Sequence, residues 1–153
     1  KVLDLFSGTG NLSYEFGSRG AVAITSVDGD FGCVRFIKKT AAGFDFPITA
    51  VKSDVYKFLA GHKAVYDIIV ADPPYNFTQE QFDEIVSLVF ENELLSEDGM
   101  MIIEHSKYTK MQHLMNFSFD KKYGGSIFSF FEFDKDESEE PLGYDVDSED
   151  DEI

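Results

Sequence analysis

Residues 1–12 read KVLDLFSGTGNL, and this stretch decides the fold. An apolar run that carries one acid, Asp4, gives way to a turn that contains Gly8 and Gly10. The pattern predicts a buried parallel strand, a glycine turn and a helix start, which open a nucleotide-binding α/β sheet. The two glycines permit a tight turn and the close approach of a ligand. The phosphate-binding pattern GxGxxG is absent, because Ser13 stands at its last position, so the turn favours a ligand without phosphates over NAD.

The composition indicates one domain of a cytoplasmic protein. The chain has 153 residues, with 16 Phe and 7 Tyr, which is enough to bury a core. The single cysteine, Cys33, excludes an internal disulfide and fits a reducing compartment. No run reaches the roughly 18 apolar residues that a membrane span needs. Because the sequence opens directly on a strand without Met, we expect a further segment before it.

The acidic charge is concentrated near the end of the sequence. The net charge of −16 argues against a nucleic-acid binder. However, residues 134–153 hold 11 acids and one Lys, whereas residues 1–133 hold 18 acids and 12 bases. We predict a folded domain over residues 1–133 and an acidic, disordered tail over residues 134–153. The tail is interpreted as solubilising, with nucleic-acid mimicry or contact with a basic partner as alternatives.

Hydrophobic periodicity predicts a sheet of parallel strands that alternate with helices and end in an antiparallel hairpin. Strands are expected at residues 1–6, 21–27, 48–52, 66–71 and 100–104, and the hairpin at residues 117–122 and 126–133. Helices are expected at residues 11–19, 30–42, 55–60, 79–91 and 109–115, with connections at residues 43–47 and 94–99. Thr78 and Gln81 match a capping box. The fold class is therefore α/β, a Rossmann-like, mostly parallel sheet with an antiparallel strand from the C-terminal hairpin.

Several acids fall where such a sheet binds its ligands, beyond the carboxyl ends of the strands. Asp28 is placed to accept hydrogen bonds from two ribose hydroxyls, although it also fits a helix cap or a turn. Asp54 either accepts from an adenine amino group or caps the next helix. Asp4 is expected to hold the glycine turn or the ligand's charged end. Phe6, at the end of the same strand, is expected to contact the ligand as well. An unpaired buried acid is costly, so we expect Asp4 to have a partner.

The most specific signal is the tetrapeptide DPPY, which runs from Asp72 to Tyr75. Pro73 and Pro74 fix the backbone and leave carbonyl groups free to accept hydrogen bonds. The Asp72 side chain and the Pro73 carbonyl can accept the N–H groups of a base amine and direct its lone pair at a methyl donor. Tyr75 offers a ring that can stack on an extruded base. Phe77 offers a second ring face or, by preference, packs in the core.

The motifs VLDLFSGTG and VADPPY resemble those of S-adenosylmethionine-dependent amino-methyltransferases. Their order and spacing, with the closing KKYGGSIFSFFEF hairpin, resemble the RsmD-like 16S rRNA (guanine-N2)-methyltransferases over residues 1–133. The resemblance implies S-adenosylmethionine near Gly8, Gly10, Asp28 and Asp54, and a target guanine at residues 72–75. It also implies a substrate in small-subunit rRNA or in the assembling small ribosomal subunit.

Two other functions stay open at this point. An N6-adenine DNA methyltransferase can use a similar tetrapeptide, although this chain has no room for a target-recognition domain. A cofactor-binding but inactive partner subunit would bind S-adenosylmethionine without turnover. His62, His105 and His113 are scattered, so we do not expect metal catalysis. We expect a monomer that uses neither a metal nor a membrane.

Overall fold

The computed structural model describes residues 1–134, so the predicted acidic tail lies, except for Asp134, outside the described residues. Within this part the strands are β1 (Val2–Leu5), β2 (Ile24–Asp28), β3 (Ile48–Lys52), β4 (Tyr66–Ala71), β5 (Leu95–His105), β6 (Phe117–Tyr123) and β7 (Ser126–Phe131). The helices are α1 (Asn11–Ser18), α2 (Phe31–Phe44), α3 (Val55–Gly61) and α4 (Gln79–Glu91). None of these helices is long and apolar enough to cross a membrane.

The strands form one sheet in the order β3-β2-β1-β4-β5-β7-β6. Strands β1 to β5 run parallel to one another, whereas β7 runs antiparallel to both of its neighbours, β5 and β6. From β1 the chain adds β2 and then β3 towards one edge of the sheet. It then returns to the other side of β1, where β4 pairs with β1 and β5 follows towards the opposite edge. In open α/β sheets such a switch point leaves a crevice at the carboxyl ends of the strands, where ligands bind.

The larger core lies between the sheet and helices α3 and α4. Leu5 of β1 packs there with Leu59 of α3 and Ile85 of α4, and all three side chains are fully buried. Val51 of β3 joins this core, whereas its neighbour Ala50 packs with α2 on the opposite face. This alternation follows from the two-residue period of a strand. Helices α1 and α2 thus pack on the other face beside β1, β2 and β3, and the carboxyl ends of the strands remain available for a site.

Strand β5 is longer than the sequence predicts, because it includes residues 95–99 of the expected connection at residues 94–99. Leu95 pairs with Tyr66, and the ladder resumes five residues further along β5, where Met100 pairs with Ile68. A Cβ on Gly99 would lie 2.8 Å from a backbone oxygen of β4, so glycine is needed at this irregularity. The bulge lets a stretch without strand periodicity join the sheet.

The helix expected at residues 109–115 is absent, and turns occupy this region. The side chain of Gln79 accepts the Lys110 N–H at 2.9 Å and donates to the Lys110 carbonyl at 2.6 Å. The second of these bonds occupies the Lys110 carbonyl, which a helix over residues 109–115 would use for its own hydrogen bonding. The other boundary differences are small, since β2 begins at Ile24 and α2 continues to Phe44. The capping box of Thr78 and Gln81 is confirmed.

Candidate active site

Residues that follow four strands of the sheet line one cavity at its carboxyl edge. The cavity has a volume of about 460 Å³, within the range of small-molecule sites. Three of its side chains are carboxylates and none is a lysine or arginine, a charge that favours a cationic ligand over a phosphate. The lining residues are Phe6, Asp28, Gly29, Ser53, Asp54, Val55, Tyr56, Asp72, Pro74, Phe77 and Gln81.

The glycine turn after β1 is held by Asp28 at the end of β2. The Oδ2 atom of Asp28 accepts the Gly8 N–H at 2.8 Å, and Oδ1 accepts the Asp30 N–H at 2.9 Å. Each carboxylate oxygen has a second lone pair, so Asp28 can still accept from a ligand. The cap of α2 is Asp30, which accepts the Cys33 N–H at 2.9 Å. Phe6 has a φ of 58°, a left-handed conformation that non-glycine residues rarely adopt and that is typical of functional sites.

The two glycines of the turn have different structural roles. A Cβ on Gly8 would meet no atom within 4 Å, so this position leaves room for a ligand. A Cβ on Gly10 would lie 2.8 Å from Ile37 and 2.8 Å from the ring of Tyr14. Both glycines have positive φ, at 57° and 92°. The protein's own packing therefore already requires glycine at position 10.

Asp4 is a buried acid whose partner lies on α1. Its carboxylate accepts a hydrogen bond from Ser13 Oγ at 2.6 Å, and the Ser13 hydroxyl lies 2.5 Å from that of Ser26. Burial raises the pKa of Asp4 to about 6, although the hydrogen bonds from Ser13 act in the opposite direction. The expected partner is thus present. It anchors α1 to the sheet, whereas the glycine turn itself is held by Asp28.

Asp54 and Tyr56 form the wall of the cavity that faces α3. The Asp54 carboxylate caps α3 by accepting the Lys57 N–H at 3.1 Å, and the residue also lines the cavity. Its two predicted roles are therefore compatible. Tyr56 donates its hydroxyl hydrogen to the Gln81 carbonyl at 2.8 Å, which fixes the ring against the cavity. Burial, together with the negative charges of Glu84 and Asp54, raises the pKa of Tyr56 to about 12.

The tetrapeptide that follows β4 forms a turn with one aromatic ring exposed. The Phe77 N–H donates to the Pro74 carbonyl at 3.0 Å, which closes the turn. Tyr75 is 100% exposed, so its ring is available to a ligand. Phe77 is half-buried and meets Phe6 edge-on with ring centroids 5.3 Å apart. The packing interpretation of Phe77 is therefore the better supported one.

A second cavity, of about 250 Å³, meets the first at Asp72. It is lined by Asp72, Pro73, Tyr75, Phe82, Glu104, His105, Ser106, Thr109, Gly125 and Ser126. Asp72 and Glu104 follow the paired residues Ala71 and Ile103 on neighbouring strands. Partial burial, and then the negative charge of Glu104, raises the pKa of Asp72. Asp72 at the junction is thus a better proton acceptor than an ordinary aspartate.

Comparison with known proteins identifies the family. A family model described as Conserved hypothetical protein 95 matches residues 1–132. The chain belongs to this family. The matched region contains the glycine turn, the DPPY tetrapeptide and the closing hairpin, so both cavities lie within it.

Two similar proteins have names that refer to ribosomal RNA. "Putative rRNA methyltransferase YlbH" of Bacillus subtilis (strain 168) is 29% identical over 114 residues, which are 71% of this chain and 61% of that protein. "Ribosomal RNA small subunit methyltransferase D" of Buchnera aphidicola subsp. Baizongia pistaciae is 28% identical over 103 residues, which are 67% and 52% of the two chains. This member of Conserved hypothetical protein 95 thus spans less than two thirds of either relative. The family resemblance that its motifs indicate is confirmed.

A solved structure shows the same fold. "Putative methyltransferase yhhF from Escherichia coli" superposes with a TM-score of 0.78 at 24% identity, and covers 87% of this chain and 77% of that one. The α/β fold class predicted from the strand pattern is confirmed by this likeness and by the sheet order. In the part of the chain that the structure describes, no group of three His, Cys, Asp or Glu side chains is placed to hold a metal ion.

Several residues that line the two cavities are not predicted by the sequence, and three of them show why. Gln81 and Tyr56 line the larger cavity, and Glu104 lines the smaller one. A signal for Tyr56 was present, because it stands two residues after Asp54 at the start of a helix beside the site. Glu104 could have been noted in the same way, since it lies near the carboxyl end of a predicted strand. Nothing local marked Gln81, whose visible role is in the capping box.

Proposed function

We propose that this protein transfers a methyl group from S-adenosylmethionine to the exocyclic N2 of a guanine in 16S rRNA of the small ribosomal subunit. The observation that carries the proposal is the junction of the two cavities at Asp72. One cavity has the acids suited to a nucleoside cofactor, and the other has an exposed aromatic ring suited to a base. A methyl group that moves from a cofactor in the first cavity to a base in the second would pass the DPPY tetrapeptide.

The larger cavity fits S-adenosylmethionine in charge and chemistry. When bound, this cofactor supplies an electrophilic methyl group on a sulfonium cation. The acidic lining of the cavity attracts such a cation, and the absence of lysine and arginine from that lining disfavours phosphate ligands. Asp28 would accept the ribose hydroxyls and Asp54 the adenine amine. Apolar side chains such as Val55 would contact the faces of the adenine ring.

The smaller cavity fits the base that is modified. Tyr75 would stack on the extruded guanine, and Asp72 with the Pro73 carbonyl would accept the two N–H groups of its amine. The nitrogen gives up one proton as it gains a methyl group. The raised pKa of Asp72 suits that carboxylate to receive the proton.

The RNA substrate is supported by the names of similar proteins. The Buchnera protein is named for the small subunit, and the Bacillus protein for rRNA without naming a subunit. The proposal therefore includes a cytoplasmic enzyme that meets rRNA or the assembling small subunit. Because the chain spans only part of these relatives, the full protein is the form to assay.

The test is methylation by the full protein of unmodified small subunits, large-subunit RNA and DNA in parallel. The products are digested to nucleosides and identified by mass spectrometry. N2-methylguanosine from the small subunit is the expected result. N6-methyladenine from DNA would replace the proposal by the DNA enzyme. Cofactor binding without any product would indicate an inactive subunit.

Two substitutions separate the roles of the cavities. Asp72→Ala should abolish methylation and leave cofactor affinity, measured by calorimetry, nearly unchanged. Asp28→Ala should weaken cofactor binding by at least tenfold, since hydrogen bonds to a charged group contribute roughly 1.5 kcal/mol or more. Asp98→Ala, at an exposed position of β5, serves as the control. If Asp72→Ala lost methylation and cofactor affinity to the same extent, the role of Asp72 in accepting the base amine would be contradicted.

A further inference from the structure

The smaller cavity is bordered by a basic surface within an otherwise acidic chain. Residues 106–125, called the rim below, contain four lysines and one aspartate, whereas the rest of residues 1–133 contains 17 acids and eight bases. The rim comprises the loop after β5, strand β6 and the turn of the hairpin. Such a reversal of charge beside a cavity marks a surface that attracts a polyanion.

The rim borders the cavity from two sides. Ser106 and Thr109 of its loop, and Gly125 of its turn, line the cavity together with Asp72. Two of the four lysines are direct neighbours of these loop residues, and the other two precede the turn on β6. The lysines are Lys107, Lys110, Lys121 and Lys122, and all four are exposed.

The middle of the loop of the rim is fixed in place by contacts with α4 and with β6. Gln79 of α4 forms the two hydrogen bonds with the Lys110 backbone described above. Gln112 donates to the Asp120 carboxylate at 3.2 Å, which joins the loop to β6. These contacts hold the lysines of the loop beside the cavity, and an ordered surface loses less entropy when it binds.

The rim also carries exposed aromatic rings. Tyr108 is 81% exposed and Tyr123 is 61% exposed, and the Lys107 ammonium lies 5.3 Å from the Tyr108 ring. Alternating cationic and aromatic side chains suit a single strand, because the cations meet phosphates while the rings stack on bases. Tyr75, which is fully exposed, lies on the other wall of the smaller cavity and extends the row of exposed aromatic rings to the DPPY tetrapeptide.

We infer that the rim binds the backbone of the single-stranded RNA on either side of the target base and guides that base into the smaller cavity. This inference rests on the proposed function, because it takes RNA as the substrate.

The lysines of β6 have an alternative explanation. Lysines on an edge strand also prevent strand pairing between molecules, and β6 is an edge of the sheet. Protection of the edge alone predicts aggregation when the lysines are replaced, with no change in the salt dependence of RNA binding.

The test measures binding of a fluorescein-labelled single-stranded RNA of mixed sequence by the full protein across a range of salt concentrations. Each phosphate contact contributes roughly 0.7 to the slope of log K against log salt. Lys107→Gln/Lys110→Gln should therefore reduce that slope by roughly 1.4. Lys121→Gln/Lys122→Gln should reduce it by roughly 0.7, because adjacent side chains of β6 point to opposite faces and only Lys122 shares the face of His105 in the cavity. The matched control is Lys38→Gln/Lys39→Gln, an exposed pair on α2 that should leave it unchanged.

Tyr108→Ala should weaken RNA binding roughly tenfold, in line with the loss of one stacked base. Unchanged slopes in both rim variants, or an equal reduction in the α2 control, would overturn the inference. A DNA strand of the same sequence that binds more tightly than the RNA would overturn the assignment to RNA. RNA binding and methylation are measured separately. If the wild-type protein methylates the small subunit but the rim variants keep the wild-type salt dependence of RNA binding, only the role of the rim is refuted. Rim-dependent binding without N2-methylguanosine refutes the proposed function alone.

Discussion

Replacing Asp4 by asparagine should stabilise the protein at neutral pH. Asp4 is 3% exposed on β1, and its pKa is raised from 3.8 to about 6 by burial. A raised pKa means that the folded protein prefers the neutral carboxyl, so ionisation reduces stability as the pH rises. The difference between the two pKa values corresponds to about 3 kcal/mol. This loss is absent below about pH 4, grows between the two pKa values and is complete above about pH 6.

Asparagine isolates this effect because it keeps the shape of the side chain and can still accept from Ser13, but does not ionise. Urea unfolding of both proteins at a series of pH values gives the difference in unfolding free energy. We expect a difference near zero at about pH 4 and a gain of about 3 kcal/mol for Asp4→Asn at about pH 7. Taking the difference cancels the contributions of the other acids.

The control is Asp98→Asn, which changes a solvent-exposed carboxyl on β5 and should show no such gain. A difference between Asp4→Asn and the parent that stays constant with pH would refute the assigned cost of burial. Calorimetry of S-adenosylmethionine binding by both proteins then tests whether this destabilising acid contributes to ligand binding. Weaker binding by the more stable variant would support the predicted role of Asp4 at the ligand's charged end.

Three other substitutions test the packing and the site. Gly10→Ala should lose about 2 kcal/mol of stability because its Cβ would meet Ile37 and Tyr14, whereas Gly43→Ala, in an open position of α2, should gain about 0.5 kcal/mol; similar urea midpoints for the two would contradict this. Thr78→Ala should lose about 1 kcal/mol with its capping box, and Thr78→Ser should restore most of it; an unstable serine variant would argue against capping. Tyr75→Ala should keep its thermal midpoint and lose at least about fivefold in methylation, since the ring is fully exposed and can contribute about 1–3 kcal/mol by stacking; a large drop in midpoint would give the ring a structural role.

The sequence predicts those parts of the fold that local patterns specify. Strand β4 and the capping box of Thr78 match their predictions because apolar runs and cap residues act over a few positions. The longer β5 and the irregular loop around Lys110 depend on a bulge at Gly99 and on the side chain of Gln79. These contacts join residues about 30 positions apart, and periodicity carries no information about them.

The same limit applies to the candidate site. Asp28 and Asp72 could be placed because each follows a predicted strand, and parallel strands bring such residues to one edge. Their partners could not be predicted. The Gly8 N–H meets Asp28 across two strands, and Asp4 meets Ser13 on a helix. The pattern therefore located the acids correctly, but the carboxylate that holds the glycine turn is Asp28.

The net charge of the chain is a poor guide to its partner, because the sign of the local surface decides the interaction. Charges on a surface act over about 10 Å at moderate salt, so a phosphate near the smaller cavity meets the lysines of the rim more strongly than distant acids. Asp72 and Glu104 line the smaller cavity itself. Their carboxylates repel phosphates but can accept the N–H groups of a base. If the rim binds RNA as inferred, the backbone of the strand is attracted along the rim and only a base enters the acidic interior. The negative net charge of the chain is therefore compatible with the proposed RNA substrate, because the basic residues of the rim stand where the target base would enter.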